Sequence, residues 1–236
     1  MLAEKPRFPF VEEPRILAYD QEHMSVIILV DKSGSVAGGA IQNINANLNH
    51  FKENVCENEI AAKRVDVCIV SFDSRVSVVQ DWCPIREMEP VQLTADGGTE
   101  LNSAIMTGVK KLRERSHLYA KNGIVEKKPY MIVMTDGYGG NISQAAALVE
   151  RRIKDGKMKL FFLGFGDYDK ATAAQLCRAH GNWCFEVNSG SFNFNDFFDF
   201  VGNSVKAASV SAPGEDIHVD TSIGTADSDI SIVSLP

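Results

Sequence analysis

Asp31-Lys32-Ser33-Gly34-Ser35 sets one carboxylate and two hydroxyls at alternate positions. In an extended segment, residues i, i+2 and i+4 face the same way, so Asp31, Ser33 and Ser35 can aim three oxygens at one point. Gly34 lets the backbone turn there. Two more segments offer donors of the same kind: Asp96-Gly97-Gly98-Thr99 presents a hydroxyl behind a glycine loop, and Asp136-Gly137 a carboxylate before a turn. All these donors are oxygen, with no His or Cys nearby in sequence. Such a set selects a hard cation, Mg²⁺ first and Mn²⁺ or Ca²⁺ as alternatives. Three hydroxyls and two carboxylates, with water, can fill an octahedron and leave one vertex over. With the hydroxyls bound directly and the carboxylates mostly through water, the ion stays poorly neutralised and attracts an outside carboxylate.

Each residue also has a plainer reading. Ser33 and Ser35 could cap the helix that follows, and Thr99, beside Glu100, the next one. Asp136 before Gly137 could be turn chemistry. Three such coincidences at three strand ends are harder to accept than one shared site. Asp73 and Asp96 read as turn or supporting residues, and Asp167 and Asp169 as the start of a helix.

The elements that must position these groups follow from hydropathy. Short apolar runs alternate with stretches of helical periodicity, the pattern of an α/β protein with helices on both faces of a doubly wound, mostly parallel sheet. Strands are predicted at Val26–Val30, Val67–Phe72, Tyr130–Thr135 and Leu160–Phe165, with Val76–Val79 a short neighbour and Phe185–Val187 an edge, six in all. Helical stripes run through Ile41, Ile44, Leu48, Phe51 and Val55; through Leu101, Ile105, Val109 and Leu112; and through Ile142, Ala146, Val149 and Ile153. Ala173, Leu176 and Ala179 mark a short helix, and Phe194, Phe197, Phe198, Val201 and Val205 the last. That spacing makes the Phe cluster core packing, not an aromatic binding box. Asn43, Asn45, Asn47 and Asn49 are assigned mostly to a wet face, and Lys110, Lys111, Arg113 and Arg115 to a solvated one. In open sheets of this kind, ligands gather beyond the carboxyl ends of the strands.

The 236 residues suffice for one sizeable domain, and a 44% apolar content allows a packed core. Residues 1–23, with three prolines, read as an irregular arm; 24–208 as the domain; 209–236 as an acidic, disordered tail in which Ile230–Leu235 could dock as a strand. Net charge is −7, and five of the excess acids (Glu215, Asp216, Asp220, Asp227 and Asp229) lie in that tail. This balance argues against a nucleic-acid partner. The five cysteines form no CxxC pair, which fits reduced thiols in a cytoplasmic protein; a Cys177–Cys184 bridge rests on sequence proximity alone. Val26–Val30, the longest strongly apolar run, is too short to span a bilayer, so no membrane partner is expected.

The series DKSGS (31–35), DGGT (96–99) and MTDG (134–137) resembles the metal-ion-dependent adhesion site (MIDAS) of von Willebrand factor A domains. The resemblance spans Met24 to Ala207, includes Leu163-Gly164-Phe165-Gly166, and matches all five site positions. It implies a strand order 3-2-1-4-5-6 with strand 3 antiparallel, and a metal held by Asp31, Ser33, Ser35, Thr99 and Asp136. Within the family the chain looks most like bacterial TerY-type proteins linked to tellurium resistance and stress operons. There the domain scaffolds partners, phosphatase-like and kinase-like proteins among them. A protein partner would supply an Asp or Glu to the metal, with Lys32, Val36 and Tyr138 as flanking contacts. In some relatives the last helix shifts between affinity states.

The alternative is a Mg²⁺-dependent hydrolase or phosphoryl-transfer enzyme using the same cleft. The sequence lends it little: GxxxxGK[ST] and GxSxG motifs are absent, and Gly164-Phe165-Gly166 lacks a third glycine. His23, His50, His117, His180 and His218 fit no nucleophile–base pattern and default to surface or packing roles. A binding protein, not an enzyme, is expected.

Overall fold

A computed structural model describes residues 15–137, 140–178, 183–187, 192–212 and 228–233. The apolar runs form the middle of one sheet. β1 (His23–Asp31) and β2 (Val65–Phe72) are buried at every position, as strands covered on both faces must be. β3 (Val76–Pro84), β4 (Glu126–Thr135), β5 (Lys159–Gly164), β6 (Trp183–Val187) and β7 (Ile230–Ile232) complete the order β3-β2-β1-β4-β5-β6-β7. β1 pairs in parallel with both β2 and β4, and β4–β5 and β5–β6 are also parallel. β3 and β7 run antiparallel to their neighbours. The expected order holds, extended by one strand.

That seventh strand comes from the tail. Ile230 is fully buried against β6, so Trp183–Val187 is an interior strand and not the expected edge. Three residues are too few to display a period, which is why the strand was only an option from sequence. Residues 213–227, and the end of the 230–235 segment, lie outside the described residues, as do residues 1–14 of the expected arm.

Among the described residues, six α-helices cover the sheet: α1 (Gly39–Cys56), α2 (Glu59–Arg64), α3 (Leu101–Lys121), α4 (Ser143–Lys154), α5 (Lys170–Cys177) and α6 (Asn195–Val210). Alternation along each strand divides the apolar residues into two cores. Val26, Ile28, Val30, Ile132 and Met134 pack with Ile44, Phe51, Phe197 and Val201 from α1 and α6. Ile27, Leu29, Met131 and Val133 pack with Ile105, Val149 and Leu176 from α3, α4 and α5. Gly108 brings α3 close to the sheet: a Cβ there would stand 2.9 Å from Met131 Cε and 3.1 Å from a Leu29 methyl. Among the described residues, no helix is long and apolar enough to cross a membrane. All five cysteines are free thiols, Cys177 and Cys184 included.

Two assignments of polar faces need correction. Asn45 and Asn47 are buried, not wet. Asn45 Nδ2 donates to Leu93 O (2.9 Å) while its Oδ1 accepts from Leu93 N (2.8 Å), so the residue acts as a clasp between α1 and the chain leading to α3. Arg115 is likewise not on a solvated face: it is 1% exposed. Its Nη2 lies 2.8 Å from Asp66 Oδ2, which also accepts from the Tyr119 hydroxyl and lies 3.2 Å from His23 Nδ1. Periodicity cannot reveal this, because the partners come from β1, β2 and α3. Burying Asp66 is tolerable only while it is paired and hydrogen-bonded.

Arg115→Met should therefore cost about 3–5 kcal/mol by stranding the Asp66 carboxylate. Urea unfolding will show this as a lower midpoint at unchanged slope.

Candidate metal centre

β1 ends on Asp31 and β4 on Thr135, and their parallel register sets Val30 opposite Met134. Asp136, the next residue, therefore stands beside the end of β1, at the point where the chain crosses to opposite sides of that strand. The intervening loops are laced by backbone. Lys32 N donates to Phe72 O (2.9 Å), Gly34 N to Gly97 O (2.9 Å) and Asp96 N to Lys32 O (2.8 Å), so the DKSGS and DGGT segments are held as one surface.

On that surface the hydroxyls converge. Ser33 Oγ is 3.1 Å from Ser35 Oγ, and Asp136 Oδ1 accepts from Ser35 Oγ at 2.9 Å and from Ser33 Oγ at 3.5 Å. Neither serine caps a helix: Ser33 precedes a 3-10 turn (Gly34–Val36) and makes no side-chain cap bond, while α1 starts after Gly38. Thr99 does not cap α3, whose N-cap is Glu100. Its side chain faces Gly137, where a Cβ would stand 2.8 Å from Thr99 Oγ1, so only glycine lets the two loops meet. Ser35, Thr99 and Asp136 line an open cleft of about 570 Å³ together with Gly137, Gly166, Asp167 and Phe192.

Asp31 sits beneath, fully buried, accepting from Ser33 N (2.9 Å) and Thr135 Oγ1 (2.5 Å). Burial pushes its carboxyl above the ordinary value, against those hydrogen bonds. Asp136 is pushed up as well, first by burial and further by the Asp31 charge, with the Ser35 hydroxyl opposing. Among the described residues no Lys, Arg or His pairs with either carboxylate. The donor set, all oxygen, with two crowded carboxylates lacking a cation, fits a hard divalent ion. Among the described residues no group of three or more His, Cys, Asp or Glu could hold a metal. Any ion here must therefore lean on the three hydroxyls.

The flanking residues behave differently from expectation. Val36 is 1% exposed and belongs to the α1–α6 core, so it presents no surface to a partner; its apolar side chain is worth more inside the fold than on the rim. Lys32 is tied to Asp73, whose carboxyl this ion pair holds below the ordinary range. Tyr138 lies outside the described residues. Asp73 and Asp96 serve turns, accepting from Arg75 N (2.7 Å) and Gly97 N (2.8 Å). Asp169 caps α5, accepting from Ala171 N and Thr172 N. Sequence reasoning missed two residues. Thr135 clamps Asp31 and accepts from Gly137 N (3.1 Å); its position inside MTDG was the available signal. Phe192 lines the cleft with no sequence signal beyond its place after a strand end. Asp167, read with Asp169 as a helix start, lies before the α5 cap and lines the cleft instead.

A von Willebrand factor type A domain model matches residues 25–200. The chain belongs to that family. Among solved structures of similar fold is a von Willebrand factor type A protein from Catenulispora acidiphila (14% identity, TM-score 0.56), covering 79% of this chain and 43% of its own. The PilB minor pilin from Streptococcus sanguinis (12%, TM-score 0.58) covers 79% and 62%. Proximal thread matrix protein 1 from the mussel byssus, in a form with a zinc-occupied MIDAS motif (18%, TM-score 0.50), covers 78% and 48%. At these identities the likeness is one of fold, and this von Willebrand factor A chain spans 43–62% of those proteins' lengths. A search among curated proteins finds no match.

The raised carboxyls give a pH signature. Without metal, Asp31 and Asp136 titrate higher in the folded chain than in the unfolded one. Their contribution to stability is therefore present in acid, below the unfolded pKa, and is lost as pH rises through the raised folded values. In metal-free protein, Asp136→Asn should raise Tm at neutral pH and make little difference in acid, as measured by thermal scans across pH.

Proposed function

We propose that this chain is a divalent-metal-dependent protein–protein interaction module. Asp31, Ser33, Ser35, Thr99 and Asp136 hold Mg²⁺, with Mn²⁺ or Ca²⁺ as alternatives, and an Asp or Glu of a protein partner completes the coordination. One observation carries the reading. The Ser33 and Ser35 hydroxyls turn from helix capping toward Asp136, above a buried Asp31 that has no cationic neighbour among the described residues. With the hydroxyls as direct ligands and the two carboxylates acting mostly through water, the ion keeps much of its charge, which is what an incoming carboxylate needs. The exposed Phe192, on the cleft wall, is available for apolar contact beside it.

The resemblance to TerY-type proteins supports a finer assignment: a cytoplasmic scaffold in a tellurite or stress response, recruiting phosphatase-like or kinase-like partners. The free thiols agree with a reducing compartment. The second reading, a metal-dependent hydrolase, draws on Asp167, a further carboxylate on the cleft wall that could serve as a base.

Two experiments separate these readings. Partner capture should require Mg²⁺, be abolished by chelation, and be lost in Asp31→Ala and in Thr99→Ala, the latter touching only the half-exposed rim. Capture indifferent to chelation and to both substitutions would overturn the adhesive reading. Turnover of a phosphoester that disappears in Asp136→Ala would establish the enzyme instead.

A further inference from the structure

A second cavity lies at the other end of the sheet. It is about 490 Å³ in volume and is formed by the last turns of α3, the first residues of β4, Arg152 of α4 and the turn at Gly156–Lys157. β4 starts at Glu126 here and reaches the metal cleft at Thr135, so the two sites stand about 30 Å apart at the usual strand rise. Arg113, Lys127, Lys128, Arg152 and Lys157 all line it, in a chain whose net charge is −7.

Much of that positive charge has no direct ion pair among the described residues. Lys127 is spent on Ser211 O (2.6 Å) and Glu22 (3.2 Å). Arg113, Lys128, Arg152 and Lys157 have no ion-pair partner among the described residues. Glu126, the one acid in the lining, turns its Oε1 to Ser25 Oγ at 3.1 Å. Arg152 Nη2 reaches only Lys157 O at 3.4 Å, and its Nε is buried with no partner. Burial, and then the neighbouring Arg113, hold the Arg152 guanidinium below its ordinary value, with the Glu126 and Asp155 carboxylates opposing. Like charges gathered around one open cavity, with a donor left unpaired, suit an anion.

We propose that this cavity binds a small phosphate-bearing anion between Arg113, Lys128, Arg152 and Lys157. Two guanidinium forks and two ammonium groups call for several acceptor oxygens at once, which phosphate groups supply and a single carboxylate does not. The volume suits a small ligand with more than one such group. A long polyanion is disfavoured by the chain's net negative charge, which a compact ligand inside the cavity largely escapes. The site is independent of the metal reading.

Calorimetry on metal-stripped protein at low salt, with pyrophosphate as the probe, tests it. One equivalent should bind, with affinity falling about tenfold in Arg113→Gln and again in Lys128→Gln, both at exposed positions where folding is spared. Lys170→Gln, an equal loss of charge elsewhere on the surface, should leave binding unchanged, and citrate should bind about tenfold more weakly. Absence of binding, binding indifferent to Arg113→Gln and Lys128→Gln, or citrate binding as tightly as pyrophosphate would overturn the proposal.

Discussion

Two parallel strands end side by side, β1 on Asp31 and β4 just before Asp136, and among the described residues no cation pairs with either carboxylate. Parallel pairing leaves no choice in the matter: once Val30 stands opposite Met134, the next residues of both strands must meet. The surrounding structure answers to that crowding. Thr135 and Ser33 N spend hydrogen bonds on Asp31, Ser33 and Ser35 spend theirs on Asp136, and Gly137 yields room to Thr99. These donors soften the repulsion without neutralising it, because hydroxyl and amide dipoles carry no net charge.

The other buried aspartate shows what the chain does when neutralisation is the aim. Asp66, at the opposite end of the sheet, receives Arg115, Tyr119 and His23 together. The guanidinium also lies over the Tyr119 ring, 5.0 Å from its centroid, and over Trp82 at 5.7 Å. One carboxylate is thus neutralised in a network that fastens β2 to α3, although Asp66 Oδ1 and Arg115 Nε and Nη1 find no hydrogen-bond partner in it. The other has no cationic partner among the described residues and lies buried beneath an open cleft. Residue type and burial are the same; the company differs, and with it the use.

Much of this was legible in the residues alone. Continuous apolar runs bounded by turn chemistry marked the central strands, and the alternating oxygen donors after them marked the cleft, because both signals are local and periodic. Strand order came from the family resemblance. What stayed hidden depends on contacts made across the sequence. Asn45 reads as polar surface until its partner Leu93, 48 residues on, is known. Arg115 reads as one of a solvated basic row until Asp66 is placed beneath it. Val36 looked like rim because it follows the DKSGS loop, yet the 3-10 turn rotates it into the core. The short α2 and β7 lack the length to show a period at all.

The added strand has a mechanical meaning for α6. Ser228 Oγ (2.7 Å) and Asp229 N (3.3 Å), just before β7, both donate to Asp196 in the first turn of that helix, and Asn193 Nδ2 reaches Asp229 at 2.8 Å. At the far end, Arg64 Nη1 holds Ser209 O (3.1 Å) and Lys127 Nζ holds Ser211 O. The helix is moored at bow and stern. A stroke of that helix along its axis would break hydrogen bonds at both ends, one set of them made by a segment remote in sequence from the cleft.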